Sequence, residues 1–581
     1  MSARRRVIKG ISISSGIALG RARVIAPGQQ KVQEMRIAAA AVKTEIAALD
    51  RAVAETVDEL KQLRRSAGRK LGDAVGKVFD AQLLIANDQE FLNRVREEIT
   101  ERKRNAGFIY NLFVHRTTAE LKKSSEQYMR QMVQEIEGVA HRVMSHLGGT
   151  RKKSPIRYRE GTIIVTRSLT PGEVINYRNM KAAGMVAEAG GRHSHMALIA
   201  RSLMIPVTVA GNACERIPNG SRIVVDGTNG SIIINPTDKE WADFHKKRKR
   251  LGPASLRRIK KLPEIPPETA DGVPVNVAAN LEFPGPVDDI LSDQKIPVGL
   301  YRTEFLYLEA DDFPDEEAQY KYYLRLAEKF SRSSVILRTF DLGSDKIKPD
   351  SLTAVEDNPA LGWRGIRSML EQPETFKRQI RAILRASTLK NLSILLPMIS
   401  DVSEYKKARR LIAQVMFELR KEKTPFHSDI PVGIMVEVPS AALTADLLAS
   451  EVDFISIGTN DLTQYTMSAD RNNSRVAGLY NPYHPSVMNL IKMTVDAGRR
   501  HNKPVNICGE LAGDPLAVPL LIGMGVSSLS MNPARIVDCC RLIKKIDSRL
   551  VRHLVEPVLS SNSAPAVVRK LQNYRNALEN K

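Results

Sequence analysis

"PVGIMVEVPS", residues 431–440, and "DFISIGTNDL", residues 453–462, decide the fold. In each, an unbroken apolar run ends in polar side chains: Glu437 in the first, Asn460 and Asp461 in the second. A strand with one wet face alternates apolar and polar residues, whereas a strand of a parallel sheet covered by helices is apolar throughout. Working outward, the same kind of run recurs in "PVNVAAN", "IPVGLYRTEF", "SVILRTFDLG", "LSILLPMIS", "KPVNICGELAG" and "SSLSMNP". Helical segments such as "PETFKRQIRAILRAS" and "SEYKKARRLIAQVMFELRKE" separate most of them. Eight strand–helix units predict a closed (β/α)8 TIM barrel over residues 267–581.

Sites in such barrels lie where the strands end, at the C-terminal face. The strand ends here carry Arg302, Arg338 with Asp341, Glu437, Asn460 with Asp461, and Cys508 with Glu510. One such residue alone is ordinary surface. A barrel built only for packing, however, does not need ionisable groups at the same end of five strands. Two guanidinium forks suit a phosphate or carboxylate, and two carboxylates with an amide suit a hard cation such as Mg²⁺. Together they describe a site for a small, multiply anionic substrate with its metal.

A second stretch with chemical character is "GGRHSHMALIARS", residues 190–202. Ser194 is a good N-cap for the helical "MALIARSL", which puts His195 in the first turn. Free N–H groups and the helix dipole favour an anion there, and Gly190 and Gly191 let the backbone come close. That setting suits a phosphorylated imidazole and keeps the free ring neutral and nucleophilic. A metal site is the poorer reading, because His193 and His195 are two ligands and only Cys214 lies near in sequence.

Around this stretch, "VIKGISI" and "GIALGRARVI" open the chain as strands, and residues 31–147 read as proline-free helix. Strands return in "GTIIVTRSL", "MVAEAGG", "IPVTVAG", "RIVVDG" and "GSIIINP". The simplest organisation is a small α/β domain, residues 1–25 plus 150–236, interrupted by an inserted helical domain, residues 26–149. Residues 237–266 then form a basic helical linker ending in the proline-rich "LPEIPPETADG". The formal charge of +22 is partly local: residues 239–261 hold ten Lys or Arg against two acidic residues. Such a block reads as a solvated helix with nonspecific attraction to polyanions, and no zinc-finger spacing accompanies it, so no specific nucleic-acid partner is expected. The longest apolar stretch, "LAVPLLIGMGV", is too short for a membrane span, and the first residues lack a signal peptide's apolar core. Four cysteines, Cys214, Cys508, Cys539 and Cys540, make no disulfide framework, and a cytoplasmic protein is expected.

Taken in order, "GGRHSHMALIARSLMIPVTVAG", "GLYRTEFLYL", "ILRTFDLGSDK", "EDNPALGWRGIR", "GIMVEVPSAA", "FISIGTNDLTQYTMSADR" and "CGELAGDP" resemble the enzyme I family of the phosphoenolpyruvate-dependent sugar phosphotransferase system, nearly end to end. The resemblance implies a swivelling phosphohistidine α/β domain, with the inserted helical domain docking the phosphocarrier protein HPr and the barrel binding phosphoenolpyruvate. It implies that His195 is the phosphorylated residue. Arg302, Arg338 and Arg471 would hold the substrate's phosphate and carboxylate, with Lys346 and Arg364 in support. Asn460 would lie beside the phosphate, Glu437 and Asp461 would be Mg²⁺ ligands, and Cys508 would protonate the enolate. "VFDAQLLIANDQEFL", residues 78–92, resembles the family's docking hairpin, and dimerisation through the barrel is also implied.

Two departures stand out: His193 where the family carries threonine, and a basic chain where the family is acidic. Pyruvate phosphate dikinase and phosphoenolpyruvate synthase share these motifs but need an ATP-binding domain, which does not fit before residue 150. A basic non-enzymatic scaffold would have broken barrel motifs, and these are intact. A nitrogen-related regulatory branch is the alternative setting. It often adds an N-terminal sensory domain, so the sequence favours the sugar branch.

Overall fold

Gly10 breaks the first apolar run of the chain into two strands, β1 (Arg6–Lys9) and β2 (Ile11–Ser14), in the computed structural model. The structure describes residues 5–25, 33–147, 161–251, 266–343 and 356–579, apart from positions 15, 72, 123–126, 191–194, 204, 283, 311–312, 357, 472–475 and 477. The chain divides into two compact units, residues 1–252 and 253–581.

In the first unit, β1 and β2 join β3 (Ile17–Ile25), β4 (Thr162–Thr166), β5 (Gly184–Ala187), β6 (Val207–Val209), β7 (Arg222–Asp226) and β8 (Ser231–Ile234). The order across the sheet is β1-β8-β7-β3-β4-β5-β6-β2. One residue separates β1 from β2, yet they occupy the two ends of that order, so the sheet is rolled. A Cβ at Gly10 would meet the Val209 carbonyl oxygen at 2.3 Å, and only glycine lets the chain turn from one edge to the other there.

Helices 42–71, 73–86, 89–102, 106–122 and 127–147 are inserted between β3 and β4. Their buried Leu49, Leu60, Phe79, Val95, Ile99 and Val143 form one continuous core with Ile164, Met185, Ala197 and Ile199 of the α/β part. The turn within the hairpin-like segment is fixed by Asp88, which accepts a hydrogen bond from the Phe91 N–H at 3.0 Å. In the basic stretch, residues 238–251 are helical, and Trp241 and Phe244 pack on Ile17, Leu19, Val224 and Ile233 of the sheet.

The second unit is a closed parallel barrel of β9 (Asn276–Leu281), β10 (Val298–Arg302), β11 (Val335–Arg338), β12 (Leu392–Leu396), β13 (Val432–Val436), β14 (Ile455–Ile457), β15 (Val505–Ile507) and β16 (Ser528–Met531). All eight coincide with the apolar runs of the sequence. The covering helices show why the chain alternates so reliably. Helix 402–421 starts at Asp401, whose carboxylate accepts from the Ser403 N–H at 2.6 Å, while Glu404 reaches back to the Asp401 N–H at 3.3 Å. Its Tyr405, Ala408, Ile412, Val415 and Leu419 recur every three or four residues and are buried against the strands. Losing such a cap costs about 1 kcal/mol, less than the burial of one of those side chains, so packing holds the helix and capping sets where it begins. Inside the barrel, Leu300, Leu395, Met435, Phe454 and Cys508 form a separate apolar layer. Among the described residues, no helix is long and apolar enough to cross a membrane.

Candidate active site

Parallel register brings the last residues of neighbouring strands to one level, and the polar residues begin there. Arg302 pairs across the ladder with Arg338, closing β10 and β11. Arg338 is buried, and its guanidinium is held by Glu304, in the turn after β10, and by Asp341 at 3.0 Å. Asp341 also accepts from Arg364, at 2.9 Å from Nε and 2.5 Å from Nη2. Burial alone would disfavour the Arg338 charge. The carboxylates of Glu304, Asp341 and Glu437 outweigh it and hold the group firmly protonated. Arg364 is likewise opposed by burial and held charged by Asp341, and its Nη1 donates to the Tyr465 hydroxyl at 3.3 Å.

Glu437 follows β13 and is fully buried. Its Oε1 accepts from the Met398 N–H at 2.8 Å, but Oε2 has no hydrogen-bond partner among the described residues. Burial, then the charges of Asp461 and Asp341, push its pKa well above the usual carboxylate range. Asp461 and Asn460 open the helix 459–466 after β14, and Asn460 Oδ1 accepts from the Glu510 N–H at 3.0 Å. Cys508 ends the β15 run with its Sγ directed at the Ile457 carbonyl oxygen, 3.4 Å away, and the Cys508 carbonyl oxygen accepts from Asn280 Nδ2 at 3.0 Å. Burial, then Glu437, pushes the thiol up to about 12. Arg471 is opposed by burial and supported by Asp461, Tyr480 and Glu510.

The structure therefore brings Arg302, Arg338, Arg364, Glu437, Asn460, Asp461, Arg471 and Cys508 into one electrostatic neighbourhood at the strand ends. Three atoms within it are buried and unpartnered among the described residues: Arg302 Nε, Arg338 Nε and Glu437 Oε2. Two donors and one acceptor left without partners at three strand ends form an arrangement that an anion and a cation together would satisfy.

The donors present fit a divalent ion. Glu437 and Asp461 repel each other when both are charged, Glu437 Oε2 is unpartnered among the described residues, and a Cβ on Gly458 would fill the space 2.8 Å from that oxygen. Among the described residues, no three acidic, histidine or cysteine side chains converge as a closed cage.

His195 is in the other unit, as the first residue of helix 195–202, a helix whose Met196, Ala197, Ile199 and Ala200 are buried. Ser194 and His193, and in the barrel unit Lys346, lie outside the described residues. The expected docking segment is a helical hairpin about Asp88 with Leu84 exposed.

Sequence reading missed Glu304 and Glu282. Both carboxylates stand beside an arginine only because of the strand register, although Glu304, a charge inside the apolar "YRTEFLYL", was a visible signal.

Three models of phosphoenolpyruvate-utilising enzymes match the chain: the N-terminal part over residues 9–131, the mobile domain over 158–230 and the phosphoenolpyruvate-binding domain over 256–548. Those spans define the class of enzyme to which the barrel and the histidine helix correspond. Relatives named phosphoenolpyruvate-protein phosphotransferase align over almost the full chain. That of Listeria innocua is 37% identical over 570 residues, covering 98% of this chain and 99% of the relative. That of Bacillus subtilis is 38% identical over 562 residues, covering 97% and 98%. That of Geobacillus stearothermophilus is 38% identical over 566 residues, covering 97% of each. The chain belongs to the phosphoenolpyruvate-protein phosphotransferase family.

Proposed function

We propose that the protein takes the phosphoryl group of phosphoenolpyruvate onto His195 and passes it to a histidine of the phosphocarrier HPr, releasing pyruvate, as the cytoplasmic first step of a sugar phosphotransferase system. The observation that carries this reading is the trio of atoms at the strand ends that are buried and unpartnered among the described residues, Arg302 Nε, Arg338 Nε and Glu437 Oε2.

Arg302, Arg338 and Arg471 bind the substrate's phosphate and carboxylate, with Arg364 and Lys346 in supporting roles and Asn460 beside the phosphate. Glu437 and Asp461 hold Mg²⁺, which when bound offsets charge on the phosphoryl group. The neutral imidazole of His195 attacks phosphorus as the bond to the enol oxygen breaks, and the electron pair leaves with the enolate. Cys508 keeps its proton at neutral pH because burial raises its pKa to about 12. It therefore has a proton to give to the enolate's terminal carbon, and the thiolate then recovers one from water.

His195 has to meet both the barrel and the carrier. The α/β domain, residues 1–25 plus 150–236, accordingly swings on the linker of residues 237–266, whose helix 238–251 moves with the sheet it packs on, while the helical domain, residues 26–149, docks HPr through the hairpin bearing Leu84. The barrel, residues 267–581, binds phosphoenolpyruvate and joins two copies as a homodimer.

Incubation with labelled phosphoenolpyruvate, Mg²⁺ and HPr tests the scheme. His195→Ala should lose acid-labile label entirely and His193→Ala should keep at least part of it, while Cys508→Ala should slow pyruvate formation without loss of substrate binding. Label located on His193 by mass spectrometry, or pyruvate formed by Cys508→Ala at the normal rate, would refute the assignment concerned.

A further inference from the structure

Three guanidinium groups at the barrel's strand ends are each paired with a carboxylate, and the pairs differ in one respect. Arg338 with Glu304, and Arg364 with Asp341, are interior pairs: the side-chain exposures are 6% and 11% for the first, 12% and 2% for the second. Glu282 with Arg302 is a solvent-facing pair, with exposures of 39% and 35%. Opening an interior pair strands a charge out of water, whereas opening an exposed one exchanges the partner for water at little cost. The interior carboxylates are therefore permanent supports, and Glu282 is removable.

Its position says what it is removed for. Leu281 lies opposite Tyr301 in the register of β9 and β10, so Glu282 and Arg302 are the next residues up at adjoining strand ends, on the face where the site opens. Glu282 Oε1 accepts from Arg302 Nη1, while Arg302 Nε, on the opposite edge of the guanidinium, is buried and unpartnered among the described residues. The bidentate edges of a guanidinium are Nη1 with Nη2 and Nε with Nη2, so a carboxylate on Nη1 occupies one donor of the terminal edge and competes there with an anionic substrate that grips that edge. We propose that Glu282 is an affinity-setting residue: it holds Arg302 in the free enzyme, and the incoming anion displaces it. This rests on the reading of Arg302 as a ligand of phosphoenolpyruvate. Glu282 then weakens binding in two ways, by occupying the guanidinium beforehand and by repelling the bound anion afterwards.

The test is the dissociation constant of phosphoenolpyruvate with Mg²⁺, measured calorimetrically on the full chain as wild type, Glu282→Gln, Glu282→Ala and Arg302→Met. Both Glu282 variants should bind about twofold to fivefold more tightly than wild type, within the range an exposed ion pair provides, and KM should fall with the dissociation constant. Weaker binding by Glu282→Gln would mean that the carboxylate positions Arg302 for the substrate, and unchanged binding by both variants would mean that the pair does not compete with it; either result overturns the proposal. A wild type that binds no phosphoenolpyruvate, or an Arg302→Met variant that binds it equally well, would instead overturn the reading on which the proposal stands.

Discussion

Replacing Arg338 by methionine separates what the arginine does for the fold from what it does for the substrate. Methionine fills much of the same volume but leaves Glu304 without its cation, while Asp341 keeps Arg364. Removing one partner of a buried ion pair costs about 3–5 kcal/mol. For a unit spanning residues 253–581, with an unfolding entropy of about 2 cal/mol/K per residue, this lowers the melting temperature of the barrel by roughly 4–7 °C. Adding Glu304→Gln removes the stranded charge but keeps an oxygen to accept from the Asp341 N–H, which Glu304 Oε1 does at 3.1 Å. The double variant should therefore regain most of the lost melting temperature. Catalysis should not return with it. If Arg338 Nε contacts the transferring group, both variants lose a preorganised charged donor, a deficit of about 10²-fold or more in kcat/KM. Calorimetric melting and labelled phosphoenolpyruvate assays on the two variants read the two effects separately. A double variant that recovered activity together with stability would show that Arg338 is a structural cation only.

Asp288 gives a pH prediction. Burial raises its pKa from 3.8 to about 6, so the folded state binds its proton more tightly than the unfolded one. The resulting penalty is absent below the unfolded pKa, grows between about pH 4 and pH 6, and amounts to about 3 kcal/mol at neutral pH. Asp288→Asn should therefore melt higher than wild type at about pH 7 and lose that advantage at about pH 4; an equal advantage at both would refute it. Gly458→Ala would place a methyl group 2.8 Å from Glu437 Oε2. The concentration of Mg²⁺ needed for half-maximal activity should rise by about 10-fold or more, as when a metal ligand's surroundings are disturbed, and an unchanged requirement would remove Glu437 from the metal site.

The barrel was legible because eight mostly apolar runs alternate with helical segments and five of them end in polar or ionisable side chains, a pattern that needs no knowledge of tertiary partners. The convergence of Arg302, Glu437, Asp461 and Cys508 followed from the fold's geometry once the strands were placed. What escaped depends on pairing. "VIKGISI" reads as one strand, since nothing local reveals that β1 pairs with β8 and β2 with β6, at opposite edges. Glu282 and Glu304 look like surface charges until register sets them beside arginines. In the basic segment, the density of lysine and arginine masked Trp241 and Phe244, which tie helix 238–251 to the sheet.

The rolled sheet also fixes an order of events during synthesis of the protein. Strands β1, β2 and β3 are made first, but β1 waits for β8, β2 for β6, and β3 for β4 and β7. From Lys9 to its partner Ser231, at about 5–20 residues per second, the ribosome needs roughly 10–40 s. The inserted helices make mostly local contacts and close far sooner. The nascent chain thus carries a folded helical bundle behind three unpaired strands rich in isoleucine and valine. In that interval, a chaperone that shields free strand edges would protect the amino-terminal segment most.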